Sequence, residues 1–125
     1  MLASARLQTI ICTTRLPDAE KFYGDVLGLR VKGKSHGNLI YDVGGSDLLV
    51  APVPSHEPSA HTIVGFAVPD LRTVLAALKE RGVPWERHPG FSHDEHGVVV
   101  TPWGAQVVWI RDPDRNLLSI VQYAQ

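Results

Sequence analysis

The strongest constraint in this sequence is that one plan of elements occurs twice. Thr9 to Thr13 is short and β-branched, which predicts a strand. Pro17 then opens a segment whose apolar residues Ala19, Phe22, Tyr23, Val26 and Leu27 fall on one face of a helix, and Gly28 closes it. Strands are expected over Leu29 to Lys34, Asn38 to Val43 and Asp47 to Ala51, the last two joined through Gly44-Gly45-Ser46. The second half runs the same way. A strand from Thr62 to Val68 precedes a helix capped by Asp70, with Leu71, Val74, Leu75 and Leu78 on its apolar face and Gly82 at its end. Val83 to Arg87 reads as a strand. Ala105 to Ile110 and Leu117 to Val121 read as a hairpin around Asp112 to Asn116, and Val98 to Thr101 reads as a strand extension. Leu16 and Leu71 hold matching places, 71 − 16 = 55 residues apart. Two similar βαβββ modules follow from a repeat of this size. They span about residues 6–53 and 61–124, with a proline-containing linker over about 54–60, in a single α+β domain covering 1–125.

Strand parity adds a functional expectation. In the fifth strand Val64, Phe66 and Val68 share one face, and Ile63, Gly65 and Ala67 share the other. The bulky face should meet the helix. The face of short side chains should look toward a cavity with room for a ligand.

Composition limits the partners. Twelve basic and 13 acidic residues leave a formal charge of −1, so the basic face of a nucleic-acid binder or a polybasic membrane-surface protein is not expected. No stretch approaches the roughly 20 apolar residues of a membrane span, and the start of the chain lacks a signal-peptide core. A single cysteine, Cys12, allows no intrachain disulfide. The expectation is a cytoplasmic, reduced protein without nucleic-acid or membrane partners.

The ordered motifs Phe22-Tyr23-Gly24-Asp25-Val26-Leu27-Gly28-Leu29, Phe66-Ala67-Val68-Pro69-Asp70-Leu71, Gly82-Val83, Thr101-Pro102-Trp103-Gly104 and Asp112-Pro113-Asp114-Arg115-Asn116-Leu117 are similar to those of the vicinal-oxygen-chelate superfamily. That superfamily includes glyoxalase I, bleomycin-resistance proteins and type I extradiol dioxygenases. The resemblance covers nearly the whole chain. It implies that the two modules form a half-barrel cleft, and a homodimer as the usual assembly. Arg115 stands where the family usually has glycine.

The resemblance also implies where a metal would be held. The carried-over positions are Gln8, Ile63, Ser119 and, by aligning the two hairpins, Val50. Ile63 and Val50 have no lone pair, and a serine hydroxyl is a poor replacement for a carboxylate. No metal and no cofactor is therefore expected, and Gln8 reads as a polar pocket residue.

Other candidates carry less. His93-Asp94-Glu95-His96 has closely spaced donors but reads as a solvated loop, and two histidines at i and i+3 converge only on a helix. His61 could stand at the cleft mouth as a base. Cys12 shares parity with Gln8 and so could face the cleft, but no neighbouring base or cation is evident to form a thiolate. No catalytic residue is assigned. Among the aromatics Trp85, Trp103 and Trp109, with Tyr41 and Phe91, belong to segments that border the cleft in the similar family, and tryptophan holds flat ligands by stacking and through its N–H. The expected function is a metal-independent small-molecule binder that sequesters an aromatic antibiotic or metabolite. Its ligand-binding residues would be Gln8, Cys12, Tyr41, Gly65, Phe91, Trp103, Trp109 and Ser119. The alternative is an enzyme of the same superfamily, either a metal lyase or dioxygenase with displaced ligands or a metal-free isomerase.

Overall fold

The computed structural model describes residues 1–124 and divides into two compact units, Met1–Glu57 and the segment from Pro58 on. In the first unit β1 (Thr9–Thr13) leads to α1 (Leu16–Glu20), followed by β2 (Arg30–Ser35), β3 (Asn38–Val43) and β4 (Ser46–Pro52). α1 continues into a wider turn over Lys21–Val26, where the Leu27 N–H donates to Phe22 O at 2.8 Å. The sheet order is β1-β4-β3-β2, with β1 and β4 parallel and the other pairs antiparallel.

Alternation decides which side chains build this core. Ile11, Leu39, Tyr41, Leu48 and Val50 occupy one face and are buried with Ala19 and Tyr23 of the helical segment. The β2–β3 and β3–β4 loops each have two residues, and both residues of each loop have positive φ: His36 and Gly37 at 53° and 84°, Gly44 and Gly45 at 58° and 89°. These are type I′ turns, whose twist matches that of the strands. Asp47 on β4 accepts from Lys32 Nζ at 2.9 Å and from Arg6 Nη2 at 2.6 Å. The hydrogen bond from Lys32 is the main reason its carboxyl is held below the usual range, overcoming the effect of burial.

The second unit contains β5 (Val64–Ala67), α2 (Leu71–Glu80), β6 (Val99–Val100), β7 (Gln106–Arg111) and β8 (Leu117–Gln122). Its sheet order, β5-β8-β7-β6 with β5 and β8 parallel, matches that of the first unit. Asp70 caps α2 by accepting from Thr73 Oγ1 at 2.7 Å and from the Thr73 N–H at 3.4 Å. The Leu71 N–H donates to Gln122 Oε1 at 2.7 Å, which ties the helix start to β8. Leu71, Leu78, Val108, Ile110, Leu118 and Ile120 are buried on the helix side of this sheet.

The strand expected over 83–87 does not form. Pro84 has no N–H to give, and the link from this segment to β7 is the Glu86 N–H donating to Trp109 O at 2.7 Å. The edge beside the start of β7 is taken instead by Val99 and Val100. With β6 in that place the second unit still follows the βαβββ order.

The turn from Asp112 to Asn116 is a buried polar knot. Asp112 Oδ1 accepts from the N–H groups of Asp114 (3.0 Å) and Asn116 (2.8 Å), and Oδ2 accepts from Asn116 Nδ2 at 2.9 Å. Arg115 adopts φ 69°, the left-handed conformation that glycine takes without steric cost.

Candidate functional site

The sheet of the second unit has one face packed on the α2 side and a second face that is only partly open, with Val99, Trp109 and Leu117 buried on it as a cluster and Val107 packed against them. On β7 and β8 the alternation sends Val108, Ile110, Leu118 and Ile120 into the core and leaves Val107, Trp109, Ser119 and Val121 on the other side. Gly65 is opposite Ser119 in register, and Ala67 is opposite Val121. A Cβ on Gly65 would come within 3.0 Å of Ser119 Oγ, a tight contact, and would meet no other non-neighbouring atom within 4 Å.

The open side forms a pocket of about 470 Å3 walled by Thr62, Thr101, Trp103, Val107, Trp109, Ser119 and Tyr123, with Ala105, Val121 and Ala124 completing it. Every one of these side chains is uncharged. Trp109 anchors the wall. It is 8 % exposed, and its Nε1–H donates to Thr62 Oγ1 at 3.0 Å. Trp103 and Tyr123 stand at the other extreme, 86 % and 65 % exposed.

Behind Trp109 lies a cluster of rings. His88, Phe91 and His93 have centroids 4.7, 5.7 and 6.2 Å from Trp109, and Trp85 stacks on His93 at 5.1 Å. His93 is fixed at both nitrogens: Nδ1 donates to Gly97 O at 2.9 Å, and Nε2 accepts the His88 N–H at 3.0 Å. Asp94 holds the same loop by accepting from the N–H groups of His96 and Val98, at 2.8 and 2.9 Å, and from Arg72 at 3.3 Å. Burial pushes the Asp94 carboxyl up, and these hydrogen bonds together bring it below its ordinary value. The His93-to-His96 segment is thus occupied in holding its own loop. Among the described residues no group of three or more His, Cys, Asp or Glu side chains is placed to hold a metal ion.

The residues singled out in the sequence divide accordingly. Ser119, Trp103 and Trp109 line the pocket, and Gly65 is the strand partner of Ser119 without lining it. Phe91 packs on Trp109 without lining the pocket. Gln8 and Cys12 belong to the first unit, exposed and half-buried respectively, on the outward parity of β1. Tyr41 is a correction. It is 1 % exposed in the first unit's core, 6.3 Å from the Tyr23 ring, so it has no surface to offer a ligand. Burial, followed by the charges of Glu20 and Asp25, pushes its hydroxyl pKa up. Val50 is also corrected as the counterpart of Ser119. Ser119 pairs with Gly65, and the matching partner of Ile10 is Leu49, whereas Val50 is buried in the core.

Thr62 was not foreseen. Simple alternation would place it with Val64 and Phe66, but the chain bends at Ile63, before β5, and Thr62 reaches the pocket. The available signal was Trp109, a strand indole whose N–H needs a partner. The metal positions implied by the resemblance fare poorly on this unit. Ile63 is an aliphatic residue at the bend, and Ser119 supplies one neutral hydroxyl. This pair does not fit a divalent cation.

Known proteins share this architecture. A bleomycin resistance determinant encoded on the transposon Tn5 superposes with a TM-score of 0.74 at 20 % identity, covering 98 % of this chain and 100 % of that one. A lactoylglutathione lyase from Agrobacterium tumefaciens gives 0.72 at 22 % identity, with 98 % and 96 % covered. A glyoxalase/bleomycin resistance protein/dioxygenase from Alicyclobacillus acidocaldarius gives 0.72 at 21 % identity, with 98 % and 93 % covered. At these identities the likeness is one of fold. The sequence itself matches the family model over residues 6–120, and the chain belongs to the Glyoxalase/Bleomycin resistance protein/Dioxygenase superfamily.

Proposed function

We propose that this chain is a metal-independent small-molecule-binding protein that holds an aromatic ligand against the open face of its second sheet, with sequestration of an antibiotic or metabolite as its role. The observation that carries the reading is Trp109. Its indole is fixed by the hydrogen bond to Thr62 and by the surrounding rings, and it walls the pocket together with Ser119, the strand partner of Gly65. A rigid indole beside an apolar space favours a flat ligand, because little side-chain freedom remains to be lost on binding. Burying about 200 Å2 of apolar surface contributes roughly 5 kcal/mol at about 25 cal/mol per Å2, before the cost of association.

Ile63 and Ser119 support the metal-free part of the reading, since the positions where the family usually holds a metal carry an aliphatic side chain and a neutral hydroxyl here. Among the described residues no helix is long and apolar enough to cross a membrane, and the single cysteine, Cys12, is in keeping with a reducing, cytoplasmic setting. The family resemblance supports a homodimer, which light scattering would test.

The function is tested by titrating the purified protein with planar aromatic compounds while following tryptophan emission and measuring metal content. Saturable binding to metal-free protein is expected. Gly65→Phe combined with Ser119→Ala, which removes the 3.0 Å contact, should abolish it while the protein remains folded. Unchanged binding in that variant would place the site elsewhere. Lactoylglutathione lyase turnover on addition of Zn or Ni would overturn the metal-independent reading.

A further inference from the structure

The hydrogen-bonding inventory of the pocket narrows the ligand. Among the described residues no charged side chain lines it, so a ligand charge buried there would lose hydration without gaining a side-chain counter-ion from them. The polar side-chain groups that line it are the hydroxyls of Thr62, Thr101, Ser119 and Tyr123 and the indole N–H donors of Trp103 and Trp109. Two of these are already committed as acceptors: Thr62 Oγ1 takes the Trp109 Nε1–H at 3.0 Å, and Thr101 Oγ1 takes the Ala105 N–H at 3.1 Å. A hydroxyl oxygen that accepts a hydrogen bond becomes a better donor through its own proton. The walls therefore offer O–H donors to a ligand more readily than acceptors.

Building on the binding reading above, we infer that the pocket selects uncharged planar aromatic compounds bearing a carbonyl oxygen, and that the Thr62 hydroxyl reads that oxygen. Trp109 has two linked roles: its ring stacks on the ligand, and its N–H orients the hydroxyl that donates to the carbonyl. Thr62 thereby sets specificity, since its hydroxyl hydrogen is the group presented to the acceptor.

Four tricyclic probes of similar size separate the contributions: acridone, carbazole, 9-aminoacridinium and acridine-9-carboxylate. Acridone should bind most tightly. Carbazole, neutral but without a carbonyl, should bind about tenfold more weakly, and the cation and anion at least that much more weakly. Thr62→Val keeps the shape but removes the hydroxyl that holds Trp109 Nε1–H, so it can weaken both probes through the indole, and it should abolish the preference for acridone over carbazole. Thr62→Ser should restore the difference. Near-UV circular dichroism checks that Trp109 stays packed in both variants. Charged probes that bind as tightly as acridone, or a Thr62→Val variant that still prefers acridone to carbazole, would overturn the inference while leaving the binding function standing. Saturable binding by none of the four would overturn both.

Discussion

Asp112→Ala tests how the turn between β7 and β8 is held, because its cost can be worked out from the donors it strands. Asp112 is 3 % exposed, and Asn116 beside it is 0 % exposed. The carboxylate accepts from two donors on Asn116, the backbone N–H at 2.8 Å and Nδ2 at 2.9 Å, and from the Asp114 N–H at 3.0 Å. Asp114 is half-buried, so water can replace the lost acceptor there. Water does not reach Asn116, and its two donors would each carry a desolvation cost of about 1–3 kcal/mol. The expected loss is about 3–4 kcal/mol, a large part of the roughly 5–15 kcal/mol that stabilises a typical domain. Asp112→Asn keeps Oδ1 for both backbone donors and sets an amide NH2 against Asn116 Nδ2, so its cost should be smaller, about 1–2 kcal/mol. Equilibrium unfolding in urea, followed by circular dichroism, measures both. A loss under about 1 kcal/mol for Asp112→Ala at unchanged m-value, or a larger loss for Asp112→Asn than for Asp112→Ala, would refute the argument.

The same turn yields a change of opposite sign. Arg115→Gly relieves the left-handed φ of 69° and gives up only a partly exposed 3.5 Å contact with Glu86, so a gain of about 0.5–1 kcal/mol is expected in urea unfolding. Gly97→Ala should be costly: the new Cβ would sit 2.3 Å from Trp85 Cδ2 at φ 87°, and a loss of about 2–3 kcal/mol with a shift in Trp85 emission should follow. Asp94 has a folded-state pKa below its ordinary 3.8, so its contribution is present above that value and is lost as pH falls through the lower folded value. Asp94→Asn should therefore lower stability at neutral pH and flatten its decline below about pH 4, as seen in thermal melts across pH.

The repeat was legible because backbone geometry expresses itself through short local signals. Pro17, Gly28, Asp70 and Gly82 mark the helical segments, and Gly44-Gly45 marks a two-residue hairpin. The alternation in β5 correctly separated Val64 and Phe66, half-buried, from the exposed Gly65 and Ala67. What failed depended on contacts distant in sequence or on a break in regularity. Val83 to Arg87 has strand-like residues, but pairing along β7 passed to Val99 and Val100. Matching Val50 to Ser119 went astray because the turn at 112–116 is longer than the one at Gly44-Gly45, and the ladder instead pairs Leu49 with Ile10 where Ser119 pairs with Gly65. Thr62 escaped because the bend at Ile63 breaks the alternation.

Divergence between the two copies accounts for the pocket on the second sheet. With the 55-residue offset, Ile10 corresponds to Gly65 and Cys12 to Ala67. The ladder partners of these residues are Leu49 and Ala51 in one copy and Ser119 and Val121 in the other. The core-facing positions stay large in both units, because they have a helix to meet. On the opposite face the first unit places Ile10 and Leu49 where the second has glycine and serine. That exchange removes two branched side chains from adjacent strands and places the Ser119 hydroxyl in the pocket that Trp109 walls. These positions lie on the face opposite the helix, where Ile10 is exposed and Leu49 is buried. One sheet architecture can thus carry different side chains on the face opposite its helix, and the fold alone does not assign a ligand.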